Sequence, residues 1–447
     1  KFNLTVDSAL QTNRTYLRST DLKNTVSTDS SLSSTVNLNG YNLKKIDDRL
    51  LINFSSYQVV KGNEDNSLIP TVLPFASYAT GSSFYRDIKY ENTFQFYNIF
   101  RDKPKDQFAR KQKKGIVFTK AEKEIIKYFS KIKFQAELYN LYFETEDKII
   151  DNVRQDSQYT KNFPIAALSL ETPFKIRNKN LIYKPNVSFV ASSSQSNSNK
   201  ISNEESTNNS YSINTQSELN RYTGTDKLDN SKRIKYGLDI SNENILIKFT
   251  QNYEFTKNSN YHKEMGNYDY LSDALGSVTY TQNDNKLDYN LRYSPSANGI
   301  KKQEFTVEND NKFIKTNISY LDEKVETNSI LNDGNENISI TMDTKKFNKF
   351  SKVSFSGKYD LRLDEANEYK IGYSYFDECF GINIDYNRQF YTDDTLRPSD
   401  NVTLMFSFKN LGSYKSTNLA VSELDKQDIE WEAKSIDNKL FKKINNE

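Results

Sequence analysis

The feature that most constrains this chain is a two-residue alternation of apolar and polar side chains, recurring in stretches of about 9 to 11 residues. Val402, Leu404, Phe406 and Phe408 alternate with Thr403, Met405, Ser407 and Lys409. Phe380, Ile382, Ile384 and Tyr386 alternate with Gly381, Asn383, Asp385 and Asn387. Tyr369, Ile371, Tyr373 and Tyr375 do the same, and Val353, Phe355, Tyr359, Leu361 and Leu363 hold the phase with Gly357 in the gap. Further back come Ile245, Ile247, Phe249, Tyr253 and Phe255, then Leu287, Tyr289, Leu291 and Tyr293, and more weakly Ile314, Ile318 and Tyr320. In the first third, Phe94, Phe96 and Phe100 fit, as do Ile132, Phe134, Ala136, Leu138 and Tyr142. Successive side chains of a strand point to opposite faces, so each stretch is a strand with one apolar face and one face of Ser, Thr, Asn, Asp, Lys and Gly. A barrel with lipid outside and water inside needs that pairing of faces.

Composition supports the same reading. Hydrophobic residues are 36% of the chain, a low share for a soluble domain, yet aromatics reach 13% with 30 Tyr and 28 Phe. Disordered chains are poor in aromatics, whereas barrel strands and interfacial girdles are rich in them. A genome rich in A and T explains part of the Asn and Lys excess but not the alternation. A soluble sandwich or solenoid would alternate too, but it rarely needs this many strands without a fixed repeat, and none is visible. At about 20 residues per strand and connection, the chain holds on the order of 20 strands. The expected fold is all-β, a large antiparallel transmembrane β-barrel in a bacterial outer membrane. The chain opens inside a strand (Phe2, Leu4, Val6), so the barrel is expected to be incomplete on its N-terminal side.

Other classes fall away. Lys+Arg is 61 and Asp+Glu 59, which lacks the basic surplus of a nucleic-acid binder. No run of 18 apolar residues exists for a membrane helix, and residues 1–20 carry no signal-peptide pattern. One Cys and one His leave no zinc site of the usual kind and no supported catalytic triad. No catalytic, cofactor or metal residue is assigned, and no enzymatic activity is expected. His262 reads as an exposed loop residue.

Residues 1–412 are expected to form the barrel. Within it, 192–232 reads as a long polar loop and 101–123 as a basic loop, most simply solvated, with binding to lipid phosphates as the alternative. Asn332-Asp333-Gly334 carries a hairpin signal. Residues 413–447 read as a charged, partly helical tail in which Trp431 packs on the barrel or lies at an interface.

Several stretches, in order, resemble the barrel of the LptD family. They are Gln11 to Arg18, Ile69-Pro70 through Pro74 to Tyr78, Leu181 to Val190 with Tyr183 and Pro185, and Ile201 to Ser206. After them come Leu219-Asn220-Arg221-Tyr222-Thr223-Gly224-Thr225-Asp226, Arg233 to Leu238, Asp377-Glu378-Cys379, Asp394 to Ser399, and Phe408 to Gly412. Ser202, where the family has proline, and Leu228 to Ser231, where it has an aromatic and glycines, depart from the pattern. The resemblance implies export of lipopolysaccharide through the lumen and a lateral gate. It also implies an LptE-like lipoprotein plug, periplasmic Lpt bridge proteins reached through an N-terminal domain outside this sequence, and contact with outer-membrane lipids. It makes Val402, Leu404, Phe406 and Phe408 the terminal gate strand and Cys379 one half of an interdomain disulfide. It marks Asn220, Arg221, Gly224 and Asp226 as a loop motif. The residues alone leave open a passive porin or solute-uptake channel, a simple closing strand, a buried unpaired Cys379, and a soluble strand-rich surface protein.

Overall fold

The computed structural model describes residues 1–10, 31–59, 65–104, 108–176, 180–207, 212–258, 260–261, 266–345, 347, 350–377, 379–389, 399–408, 412–415 and 419–420. The Gln11–Arg18 stretch, His262, Glu378 and Arg397-Pro398 lie outside them.

The strands are β1 (Phe2–Asp7), β2 (Ser31–Tyr41), β3 (Arg49–Val59), β4 (Thr71–Ala79), β5 (Ser83–Tyr85), β6 (Ile88–Phe100), β7 (Lys111–Lys127) and β8 (Ser130–Ile150). Then come β9 (Val153–Glu171), β10 (Phe174–Ile176), β11 (Leu181–Ser192), β12 (Lys232–Ser241), β13 (Ile245–Glu254), β14 (Ala274–Gln282), β15 (Asn285–Ser294) and β16 (Gly299–Asp310). The last are β17 (Ile314–Thr327), β18 (Ile330–Thr344), β19 (Ser351–Asp360), β20 (Glu365–Phe376), β21 (Phe380–Gln389), β22 (Ser399–Phe408), β23 (Gly412–Lys415) and β24 (Leu419–Ala420). Together they make one 24-stranded sheet, an antiparallel meander of sequence neighbours. Three staves are broken: β4 and β5 both pair with β6, β9 and β10 both with β11, and β23 and β24 both with β22. The expected all-β barrel of many strands is the fold.

Register explains why the alternation recurs in phase. Residues opposite one another share a face, so each apolar set must meet the next. Leu4, Leu38, Ile52, Ala76 and Phe96 form one such row across β1, β2, β3, β4 and β6. Phe134, Leu168, Phe189, Ile234 and Tyr253 form another across β8, β9, β11, β12 and β13. Val278, Tyr289, Phe305, Tyr320 and Ile338 continue the face across β14 to β18, and Phe355, Ile371, Tyr386 and Val402 carry it to β22. Many of these side chains are large yet exposed, Phe134 at 46% and Phe189 at 48%. A face this long and this apolar is the lipid-facing exterior of an outer-membrane barrel.

Tight turns join several staves. Tyr128-Phe129, Asp151-Asn152 and Asn328-Ser329 each have positive φ at both residues, the twist that two-residue hairpins require. The Asn328-Ser329 turn corrects the Asn332-Asp333-Gly334 hairpin, because those residues lie inside β18, where the register shifts opposite Glu323 and Val325. A Cβ on Gly334 would come 2.1 Å from the Glu323 carbonyl oxygen, so the glycine serves a bulge and not a turn.

The basic loop is also corrected. Lys111, Lys113 and Lys114 belong to β7, and only 101–110 is a connection. Lys113 pairs with Glu144 at 3.3 Å and Lys111 with Glu146 at 3.2 Å, so the outward lysines are balanced by β8. With 21 residues, β8 is about 70 Å long, more than twice an apolar core of about 30 Å, so its hairpin with β9 projects well past the bilayer. Within the expected tail, Gly412–Lys415 and Leu419–Ala420 are strand, and 416–418 and 421–447, including Trp431, are outside the described residues.

Candidate functional site

The connection between β11 and β12, residues 193–231, matches the expected polar loop in extent but not in nature. Its described residues, 193–207 and 212–231, fold back across the inner face of the sheet. Ile201, Leu219 and Leu228 join a buried cluster with Ile116, Tyr139, Leu141, Phe143, Phe163, Ile165, Ala167 and Val190. Tyr139, Leu141 and Phe143 point inward from β8, alternating with the outward Leu138, Asn140 and Tyr142. Strands apolar on both faces are strands covered on both faces, here by lipid and by the chain's own loop.

Three ionic anchors fix the segment. In the first, the Arg101 guanidinium holds Glu204 through two bonds, at 3.0 and 2.6 Å. Beside it, Gln112 and the Ser202 backbone exchange reciprocal bonds of 2.9 Å. Ser202, where the LptD pattern has proline, therefore supplies a backbone N–H that proline lacks.

In the second, the Lys114 ammonium of β7, wholly buried, lies 3.0 Å from Asp226 and also binds Glu205. It sits 4.0 Å from the centre of the Tyr97 ring. Asp226 accepts the Glu204 and Glu205 backbone N–H groups at 2.8 and 2.9 Å. Burial pushes the Asp226 carboxyl up in spite of Lys114. Burial opposes the Glu205 charge too, but Lys114 and hydrogen bonds from Thr225 outweigh it and hold that carboxyl below its ordinary value. Gly224 turns at φ +64°, where a Cβ would come 2.6 Å from Glu205 Cγ.

The third is the most buried. Arg221 donates to Asp229 at 2.6 and 3.4 Å, to Glu254 at 2.6 Å and to Asn267 at 2.9 Å. Arg233 reaches Asp229 at 3.3 Å, and Ser231 donates to Glu254 at 2.6 Å. Two guanidiniums face two carboxylates, all with side chains at most 1% exposed. Burial penalises the Asp229 charge, yet Arg221 and Arg233 together hold its carboxyl below the usual range. Arg221 also lies 5.2 Å from the Tyr261 ring, which stacks on Tyr222 at 4.9 Å.

This accounts for the residues picked out in sequence. Arg221 and Asp226 anchor the inward-folded segment at two separate ion-pair sites, Gly224 turns beside Glu205, and Asn220 accepts the Asp229 backbone N–H at 3.1 Å within the segment. Lys114, Glu254, Arg101 and Glu204 were missed as anchors, because their partners are far away in the chain. The signal for them was the doubly apolar reading of β8 and β9, which asks for a second cover.

No family model matches the chain, and no curated protein matches it. Among solved structures it is similar to the siderophore receptor PirA from Acinetobacter baumannii, at 8% identity and a TM-score of 0.44, over 85% of this chain and 71% of that one. It is similar to the ferric enterobactin receptor PfeA from Pseudomonas aeruginosa, at 8% identity and TM-score 0.42 over 85% and 70% of the two chains. A porin variant from Rh. blastica matches at 10% identity and TM-score 0.27 over 63% and 94%. None of these is close enough to assign an activity.

The LptD reading is corrected. The similar structures are siderophore receptors and porins, and neither a family model nor a curated sequence supports it. Lipopolysaccharide, an LptE-like plug and Lpt bridge proteins leave the account with it. The motif residues have a structural cause, which is burial of charge in the folded-in segment, whose described residues 193–207 and 212–231 lie against the lumen wall. Val402, Leu404, Phe406 and Phe408 lie on β22, on the outward face, but β22 is not the outermost strand, since β23 and β24 pair along its far side. Cys379 is exposed in the turn between β20 and β21, where its N–H donates to Asp377 at 2.8 Å. Among the described residues no group of three or more His, Cys, Asp or Glu side chains is placed to hold a metal ion.

Proposed function

We propose that this chain is an outer-membrane channel for small polar solutes, narrowed by its own segment 193–231. The observation that carries the reading is the asymmetry of the lumen wall. From β6 to β13 the inner face is covered by the anchored segment, whereas from β17 to β22 the inner face carries half-buried polar side chains such as Ser319, Ser339, Ser356 and Lys370. Water and polar solutes are accommodated beside such a wall, and the segment reduces the cross-section without closing it. Long connections such as 193–231 and 255–273 leave the same end of the meander, the end that faces outward in barrels of this kind. The narrowing is then set from the outer side, and the Cys379 turn lies at the periplasmic end.

The test is swelling of liposomes that contain the purified full chain, in sugars of graded size. The intact protein should pass the smallest sugars only. A variant with 193–231 replaced by a short Gly-Ser linker should extend the range to larger ones. Impermeability of both proteins to every solute, with the barrel folded, refutes the reading.

A further inference from the structure

We infer that the lumen is charge-compensated and sorts solutes by size and hydrogen bonding, with no preference for anions or cations; the inference rests on the channel reading and gives it a selectivity. Ion-selective pores are lined by rings of one sign. Here the inner positions of the strands carry both signs, set side by side. Lys184 lies 3.9 Å from Asp239, across β11 and β12, and Lys248 of β13 faces the same carboxylate from the other side. Lys286 stands opposite Glu308 on β15 and β16, 4.0 Å from it. Lys302 stands opposite Glu323 on β16 and β17. Further round the wall, Lys352 lies 2.9 Å from Asp343, Lys358 stands opposite Glu368, and Lys370 lies 3.7 Å from Asp385.

Cations without such a partner across the ladder are satisfied elsewhere. Arg292, opposite Lys302, is bonded to Asp273 at 2.7 Å. Lys161 and Lys235, which face Leu141 and Asn252, bond the folded-in segment at the Ser196 carbonyl and the Ser217 hydroxyl. The exposed charges among the described residues of the segment are Lys200 and Glu218, one of each sign. Opposite charges across a strand pair stabilise the sheet, and they also cancel for anything in the lumen. At one Debye length, about 8 Å at physiological ionic strength, a close pair of opposite charges acts as a small dipole and not as a charge. An ion of either sign therefore gains little from this wall. A hydroxyl-rich solute meets donors and acceptors in alternation, from the ammoniums and carboxylates and from the facing pairs Ser277 with Asn290 and Ser319 with Ser339.

The test is the zero-current potential of the purified full chain in planar bilayers under a potassium chloride gradient, which gives the ratio of potassium to chloride permeability. Wild type should give a ratio within about threefold of one, a measurement that needs no variant to fold. Lys302→Gln/Lys352→Gln/Lys370→Gln leaves Glu323, Asp343 and Asp385 without their lysines and should shift the ratio toward potassium by about threefold or more. Glu323→Gln/Asp343→Asn/Asp385→Asn should shift it toward chloride by a similar factor. A wild-type ratio outside that range in either direction overturns the inference, and so does a ratio that neither folded variant changes. Conductance with a strongly selective ratio sinks the charge-compensated lumen alone, whereas a folded barrel with no conductance sinks the channel reading and this inference with it.

Discussion

Replacing Arg221 with Ala should release the central part of the folded-in segment. Arg221 makes four bonds, two to Asp229 and one each to Glu254 and Asn267. Without it, Asp229 keeps Arg233 and Asn258, but Glu254 keeps only the Ser231 hydroxyl. The result is a buried carboxylate that has lost its bonded cation, with Arg233 still facing it across β12 and β13, and removing one partner of a buried pair costs about 3–5 kcal/mol. The lumen wall itself is a hydrogen-bonded sheet, so the cost falls on local opening of the segment. Opening should become roughly 100- to 5,000-fold more frequent. Hydrogen exchange of the Leu228 amide, which donates to Asn197 at 2.9 Å, reports that opening directly. Glu254→Gln in the Arg221→Ala background should recover part of the loss, because it removes the orphaned charge. Exchange at Leu228 within a few-fold of wild type, or no recovery in the double variant, refutes the reasoning.

Two further outcomes follow from the same physics. Asp48 accepts the Gly81 N–H at 2.7 Å together with bonds from Tyr78 and the Lys45 and Lys44 amides, which hold its carboxyl down at about 2. Its contribution is complete above the ordinary Asp value of about 4 and is lost as pH falls towards about 2. Thermal unfolding of wild type and Asp48→Asn should therefore differ at neutral pH and converge only near the acid limit; convergence by pH 5 contradicts the assignment. Phe249→Lys, midway along the outward face of β13, should cost about 2–4 kcal/mol in folding into lipid vesicles, while Ser339→Lys on the inner face should cost far less; equal costs would mean that the faces are assigned the wrong way round.

The barrel was legible because its cause is local. Alternation such as Phe380, Ile382, Ile384, Tyr386 is imposed by lipid on one side and water on the other, and each strand records it separately. The inner cover was not, because its cause is spread over the chain. Arg221 meets Glu254, and Lys114 meets Asp226, across sequence separations that no periodicity encodes. Residues 193–231 are poor in large apolar side chains and read as solvated, yet Ile201, Leu219 and Leu228 suffice once charge pairs complete the contact. The hint was in β8 and β9, where Tyr139, Leu141, Phe143, Phe163 and Ile165 put apolar groups on the face that should be wet. The Asp333-Gly334 pair misled for a similar reason: the same glycine that permits a turn also permits a bulge, and only the partner strand decides between them.

The most direct test of the account is whether 193–231 lies against the inner wall in the membrane. Ser202 and Gln112 are in reciprocal contact, so Ser202→Cys/Gln112→Cys in a Cys379→Ser background should form a disulfide on mild oxidation of outer membranes. The pair Val117→Cys/Asn140→Cys, directly opposite on β7 and β8, serves as the barrel control. Cross-linking of both pairs is the predicted result; cross-linking of the β7–β8 pair with none between Ser202 and Gln112 would contradict the account.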